Sequence, residues 1–278
     1  MNFQTPTPEF WFRVEEIERQ STGTISFSAL NVSTGEKLEK KADMMCRSAS
    51  IIKLPVLIHA AFLVNEGKRN WTNIISLKSE DKVGGSGVLK QMSDSSQYSL
   101  LDLCTLMMII SDNTATNMVL DHIGLEGVND RMQSLGFKQT RIFRKAFTPE
   151  TPESMPYGLG VTTASEMLQL LGLILTKQIC TKQTSELIMS MLASQQIRDC
   201  IPRYLPPYWN YAGKTGAIDC ARNDIGIVTS QNGENFILCL FCQNMTDVMW
   251  TPDNSGEVAL AKLSAEILGV TKEHFCKG

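Results

Sequence analysis

Histidine is scarce in this chain of 278 residues: there are three, at positions 59, 122 and 274, none with another histidine or a carboxylate at metal-ligand spacing. That argues against a histidine-built metal site, and no other motif asks for a metal or a cofactor. Long hydrophobic runs are also missing, since no apolar stretch reaches the roughly 20 residues that cross a bilayer. The N-terminal "MNFQTPTPEFWFRVEEIERQ" has neither a basic n-region nor an apolar h-region. The expectation is a cytoplasmic protein without a membrane partner, export being the alternative if a signal peptide has been removed. Positive charge is not in excess: the formal charge is -3 and the pI about 5.7. Its lysines and arginines are scattered rather than striped, which argues against nucleic acid as a partner.

Eight cysteines, at 46, 104, 180, 200, 220, 239, 242 and 276, follow no tight framework spacing, and a chain of this length needs no staples to fold. They read as mostly reduced thiols. Cys239 and Cys242 match C-x-x-C, but "FILCLFCQN" has the character of a strand, on which positions three apart point to opposite faces. Internal repeats and low-complexity tracts are lacking as well.

With 43% hydrophobic residues, the chain has enough apolar surface for a sizeable core. Phe10, Val14 and Ile17 lie at amphipathic spacing within the first 20 residues, which predicts a surface helix. "TGTISFSALNV", a turn at "STGE" and "KLEKKADMM" then predict a β-hairpin. From Ser50 to about Leu192 the pattern is mainly helical, punctuated by turn signals such as "DKVGGSG" and "TPETPESMPYGLG". Strands return at "YWNYAGKTG", "NDIGIVTS" and "FILCLFCQ", and "SGEVALAKLSAEILG" closes the chain as a helix. The order implies an α/β (α+β) fold: an antiparallel sheet built from both ends, flanked by helices, with an all-helical lobe inserted. The expected division is 1–47 with 205–278 as the α/β lobe and 48–204 as the insert, the active site lying in the cleft between them.

The chemistry begins in "SASIIKLPVLIHAAF", an apolar helix that carries Ser50 and Lys53 at its start. Three residues apart, their side chains share a face. A serine at a helix N-terminus meets free N–H groups and the positive end of the dipole, which suit a developing oxyanion. A lysine in an apolar wall favours its neutral form and can take the serine proton. His59, nine residues after Ser50, falls about 180° round the helix and reads as a buried structural residue. No G-x-S-x-G elbow occurs, since in "GGSGVL" the position two after Ser86 is Val88 and not glycine. The bland reading of Ser50 and Lys53 is a capping serine and a snorkelling lysine. Two further triplets in order, Ser111-Asp112-Asn113 and Lys214-Thr215-Gly216, weigh against it.

With S-x-x-K, S-D-N and K-T-G in that order, the sequence resembles the class A β-lactamase and penicillin-binding serine transferase family. Segments such as "GGSGVL", "TRIFRK", "IPRYLP" and "NDIGIV" look like its class A-related branch. The resemblance implies that Ser50 is the acylated nucleophile and Lys53 its base or proton relay. It implies that Ser111 and Lys214 face them, passing a proton to the departing nitrogen and keeping the site cationic. Asn113 would hold the substrate amide, the N–H groups of Ser50 and Ala217 would form the oxyanion hole, and Thr215 with Arg222, beside Gly216, would receive a substrate carboxylate. Asp112 would brace its loop.

The family's deacylating glutamate is not evident. Ser111 to Thr162 spans 51 residues, about the usual length, and an ungapped count puts the glutamate position on Phe147 and its companion asparagine position on Thr151. Glu150, and after it Glu153, are the nearest acids, so Glu150 is the candidate to activate water. The resulting expectation is a β-lactam-hydrolysing serine enzyme with weak deacylation. The alternatives are a D-Ala-D-Ala peptidase, amidase or esterase using the same acyl-enzyme on peptide-like substrates, or a non-catalytic binding module.

Overall fold

A computed structural model describes residues 3–270. The chain opens with helix α1 (Pro8–Gln20), capped by the Thr7 side chain and started by Pro8. Strands β1 (Thr24–Asn31) and β2 (Lys37–Lys40) form the expected hairpin. After β3 (Cys46–Arg47), a single 3₁₀ turn (Ala49–Ile52) leads into α2 (Lys53–Asn65). Strands β4 (Ile74–Ser76) and β5 (Gln97–Ser99) pair across a long loop. Three helices follow, α3 (Leu100–Ile109), α4 (Asn113–Ile123) and α5 (Leu125–Ser134), then β6 (Arg141–Ile142) and β7 (Gly160–Thr162). Next come α6 (Ala164–Leu175), α7 (Lys182–Ala193), β8 (Asn210–Ile218), β9 (Ala221–Thr229), β10 (Asn235–Gln243) and α8 (Ser255–Ile267).

The main sheet runs β2-β1-β10-β9-β8 and is antiparallel throughout, so the two chain ends meet at the β1–β10 pair. α1 and α8 pack together, α8 lying on β9 and β10, and α6 packs against β1, β9 and β10. Both faces of β10 are therefore covered, which explains why "FILCLFC" is apolar throughout instead of alternating. Cys239 and Phe241 enter the core shared with the helices, whereas Leu238, Leu240 and Cys242 enter the core under α1 and α8. Cys239 and Cys242 thus face opposite sides, and among the described residues no cysteine is bonded and no cluster of potential metal ligands occurs. Cys276 and His274 lie outside the described residues.

α2 is buried on nearly every side, from Lys53 through Ala61. Its surroundings are mostly apolar, with Lys53 hydrogen-bonded and His59 Nδ1 buried without a partner, and the helix is a rigid mount for whatever stands at its first turn. A third, small sheet, β3-β7-β6, ties the chain just before Ser50 to the two ends of the loop from 143 to 159. These two- and three-residue strands are too short to show a period and were not expected from the sequence.

Candidate active site

Ser50 stands within the 3₁₀ turn, not at the start of an α-helix as expected. In 3₁₀ geometry residues i and i+3 eclipse, so Ser50 still shares a face with Lys53. The preceding residue, Ala49, has a left-handed φ of 45°. Ser111 (58°) and Phe147 (59°) are left-handed too, so three strained non-glycine residues border one cleft.

Two features hold the turn. Asn223 on β9 donates from Nδ2 to the carbonyls of Arg47 (2.9 Å) and Ser48 (3.2 Å), and Gln243 Nε2 donates to Asn223 Oδ1 at 2.7 Å. β8 also approaches so closely that a Cβ on Gly216 would lie 2.8 Å from the Ser48 carbonyl oxygen. Only glycine fits there, which is the physical content of the third residue of Lys-Thr-Gly.

Lys53 is fully buried and donates three hydrogen bonds: to Ser111 O at 2.7 Å, Ser111 Oγ at 3.0 Å and Asn113 Oδ1 at 2.8 Å. Burial, reinforced by nearby Lys214, pushes its pKa well below the ordinary lysine value, with Asp112 opposing. Lys214 is likewise buried, its Nζ donating to Thr215 O at 2.8 Å, and burial lowers it to about 7 against the pull of Asp224. Asp224 itself is raised to about 7 by burial, though Tyr211 Oη (2.5 Å) and Ile201 N (2.9 Å) donate to it. Asp112 caps α4 through Ala115 N (2.9 Å) and binds the N–H groups of Val88 (2.6 Å) and Leu89 (2.9 Å), the bracing role expected.

A cavity of ≈ 590 Å³ opens in front of Ser50, lined by Asn113, Ala217, Phe147, Leu159 and Trp250 among others. A smaller one of ≈ 210 Å³ is lined by Ser50, Ser111, Thr215, Gly216, Arg222 and Glu257 among others. Ser50, Ser86, Ala217 and Trp250 line both. Asn113 Nδ2 donates to Gly84 O at 3.1 Å, which fixes the amide at the mouth of the larger cavity.

Two sequence expectations meet a different geometry. Glu150 lies outside both cavities: more than half exposed, it pairs with Arg144 at 3.2 Å, and Glu153 is exposed as well. The loop is tethered so that Phe147, though its side chain is largely exposed, lines the larger cavity. Asn117 clamps Ala146 from both sides, donating to its carbonyl at 3.0 Å and accepting from its N–H at 2.9 Å. The Phe147 ring then lies against Gly84 and Gly85. Arg222 lines the smaller cavity, but its guanidinium is committed to Glu257 (3.1 Å), Ile218 O (2.5 Å), Ala221 O (3.0 Å) and Met249 O (2.6 Å), with Trp250 stacked over it at 4.9 Å. A guanidinium so occupied has little left to grip a carboxylate. His59 is buried against Gly127, away from this chemistry.

The sequence matches the Beta-lactamase enzyme family over residues 9–271. The chain belongs to that family. Within it, BRO-1 of Moraxella catarrhalis is 27% identical over 203 residues, 69% of this chain and 62% of its own length. CARB-3 of Pseudomonas aeruginosa is 26% identical over 232 residues, 82% of this chain and 80% of its own. A solved β-lactamase from Sphaerobacter thermophilus superposes with a TM-score of 0.83 at 29% identity, covering 93% of this chain and 96% of that one. The chain is thus a serine hydrolase acting through an acyl-enzyme; Ser50 and Ser111 line one cavity, Lys53 is bonded to Ser111, and Lys214 lies near enough to Lys53 to lower its pKa. Asn117, Asn223, Glu257 and Trp250 were not singled out from the sequence, because each bonds a partner far away along the chain.

Proposed function

We propose that the protein opens β-lactams and related amides and esters by acylation of Ser50, and that the acyl-enzyme is released slowly. The observation that carries this is Lys53: a buried ammonium site bonded to Ser111 and Asn113, one turn from Ser50. Burial favours the uncharged form of Lys53, and from that form Nζ takes the Ser50 proton as Oγ bonds the carbonyl carbon. The N–H groups of Ser50 and Ala217 receive the oxyanion, and Ser111 Oγ hands the proton to the nitrogen as the C–N bond breaks. Lys214 lends charge to that step, Thr215 and Gly216 line the leaving side, and Asn113 holds the acyl amide. Release then needs a base to direct water, and the cavity-lining position on the loop carries the Phe147 ring instead.

That same position favours, as a second reading, a peptidase, amidase or esterase with a long-lived acyl-enzyme. A non-catalytic role fits poorly with Lys53 and Lys214, whose burial is costly unless their chemistry is used. The test is intact mass after mixing with a chromogenic cephalosporin. One β-lactam adduct on wild type and none on Ser50→Ala is the expected result; no adduct and no turnover would refute the reading.

A further inference from the structure

Behind Lys214 the sheet holds a fully buried acid that the reaction above does not use. Asp224 lies in the middle of β9, and its two oxygens accept from Tyr211 Oη at 2.5 Å and Ile201 N at 2.9 Å, neither of them a cation. Strand pairing explains how the phenol gets there. Tyr211, Gly213 and Thr215 alternate along one face of β8, opposite Val228, Gly226 and Asp224 on β9. The Tyr211 ring has to cross the Gly213–Gly226 pair to reach Asp224, and only glycines leave it room. A Cβ on Gly213 would overlap Tyr211 Oη, and one on Gly226 would lie 2.5 Å from ring carbon Cε2. Two glycines facing each other inside a sheet weaken both strands. What they make possible is a phenol held against a buried carboxylate.

Lys214 stands between Gly213 and Thr215 on the other face of β8, and its cross-strand partner is Ile225, the neighbour of Asp224. Its Nζ donates to Thr215 O, a neutral acceptor. Burial lowers Lys214 and raises Asp224, and the charge on each draws the other back toward its ionised form. Around this pair, Arg198 lies over the Tyr211 ring at 5.5 Å and acts on Asp224 as well. Cys200, just before the 3₁₀ helix Ile201–Tyr204, and Cys239 on β10 are thiols pushed up by burial and by Asp224. Glu257 of α8 is paired with Arg222. Lys53 has Asp112 in its field, and charge on Lys214 disfavours charge on Lys53.

We propose that Asp224, held by Tyr211, is a positioning residue for acylation: from across the sheet its carboxylate keeps Lys214 an ammonium, and through that charge it keeps Lys53 free to act as the base. The inference rests on the hydrolase reading above and adds the residue that sets the two lysines in opposite states. Burial by itself drives both lysines toward the uncharged form, whereas the reaction asks for one of each. A carboxylate behind Lys214 breaks that symmetry, and in a poorly screened interior it acts without touching the ammonium.

The rate of Ser50 labelling by a chromogenic cephalosporin, timed by intact mass from about pH 5 to about pH 9, tests it. Acylation falls on the alkaline side as Lys214 loses its proton. Asp224 raises the pH of that loss, so Asp224→Asn should move the alkaline limb down by about one pH unit. Tyr211→Phe strips a hydrogen bond from the carboxylate, leaves Asp224 protonated over more of the range, and should move the limb the same way by less. Thermal melts verify folding, and Tyr211→Phe decides alone if Asp224→Asn does not fold. A limb that stays in place while the rate drops equally at every pH would mean that Asp224 only supports the sheet, and overturns the proposal. A limb that moves up overturns it too, leaving the hydrolase reading intact. No Ser50 adduct on wild type at any pH overturns that reading, and this assignment with it.

Discussion

Burial of Lys53 and Lys214 removes two ammonium groups from water, and at the level of single residues this cost dominates the site. Lys214 titrates at about 7 in the fold against an ordinary 10.5. Between those values the unfolded chain holds a proton that the folded chain lacks, so its contribution makes stability rise with pH from about 7 to 10.5 and stay low, without further change, below 7. Asp224 runs the other way, at about 7 in the fold against 3.8, so its contribution falls as pH rises from about 4 to 7. Lys214→Met should therefore raise Tm at pH 7 by about 5 °C and flatten the rise in stability above pH 7, while slowing acylation about a hundredfold. Thermal melts across pH and the rate of Ser50 labelling check both halves; a variant that loses stability at pH 7 would show that Lys214 is worth more to the fold than its desolvation costs. The residue motifs were legible because Ser-x-x-Lys, Ser-Asp-Asn and Lys-Thr-Gly are local strings. The role expected of Arg222 was not, because its partners Glu257 and Met249 come from α8 and from the loop before it.

Two secondary elements decide whether these residues meet. The first is β8, which touches the 3₁₀ turn through Gly216. A methyl group there must displace the Ser48 carbonyl or the strand, so Gly216→Ala should cost about 1–3 kcal/mol in denaturant melts and lower the acylation rate along with stability. Unchanged stability and labelling would mean that the strand has room to retreat. The second is the loop from 143 to 159, held by the Asn117–Ala146 clamp so that residue 147 points at the cleft. Phe147→Glu should place a carboxylate beside Asn113 and speed deacylation about tenfold or more, read as a shorter adduct lifetime with the acylation rate little changed. An adduct lifetime equal to wild type would remove residue 147 from consideration as the control on release. Long strands and helices were readable from their periods. The 3₁₀ turn and β3 to β7 were not, since two to four residues carry no period and depend on tertiary pairing.

For the molecule as a whole, the legible feature was order: strands, a helical block, then strands, which leaves few topologies other than a sheet closed by both chain ends. The cleft follows from that closure, because β8 and β9 bring Lys214, Thr215 and Asn223 to a turn that lies more than 160 residues earlier in the sequence. What order alone could not give is that Phe147 lines the larger cavity or that Asp199 and Glu257 line the smaller one. Both arise from packing between segments with no sequence signal in common. The proposed mechanism joins a nucleophile activated by a buried lysine to a release step left without a base. A single-turnover time course with a β-lactam, quenched and read by intact mass, addresses both at once. Stoichiometric Ser50 adduct that forms quickly and decays slowly is the predicted result; an adduct that never accumulates while the β-lactam is consumed rapidly would contradict it.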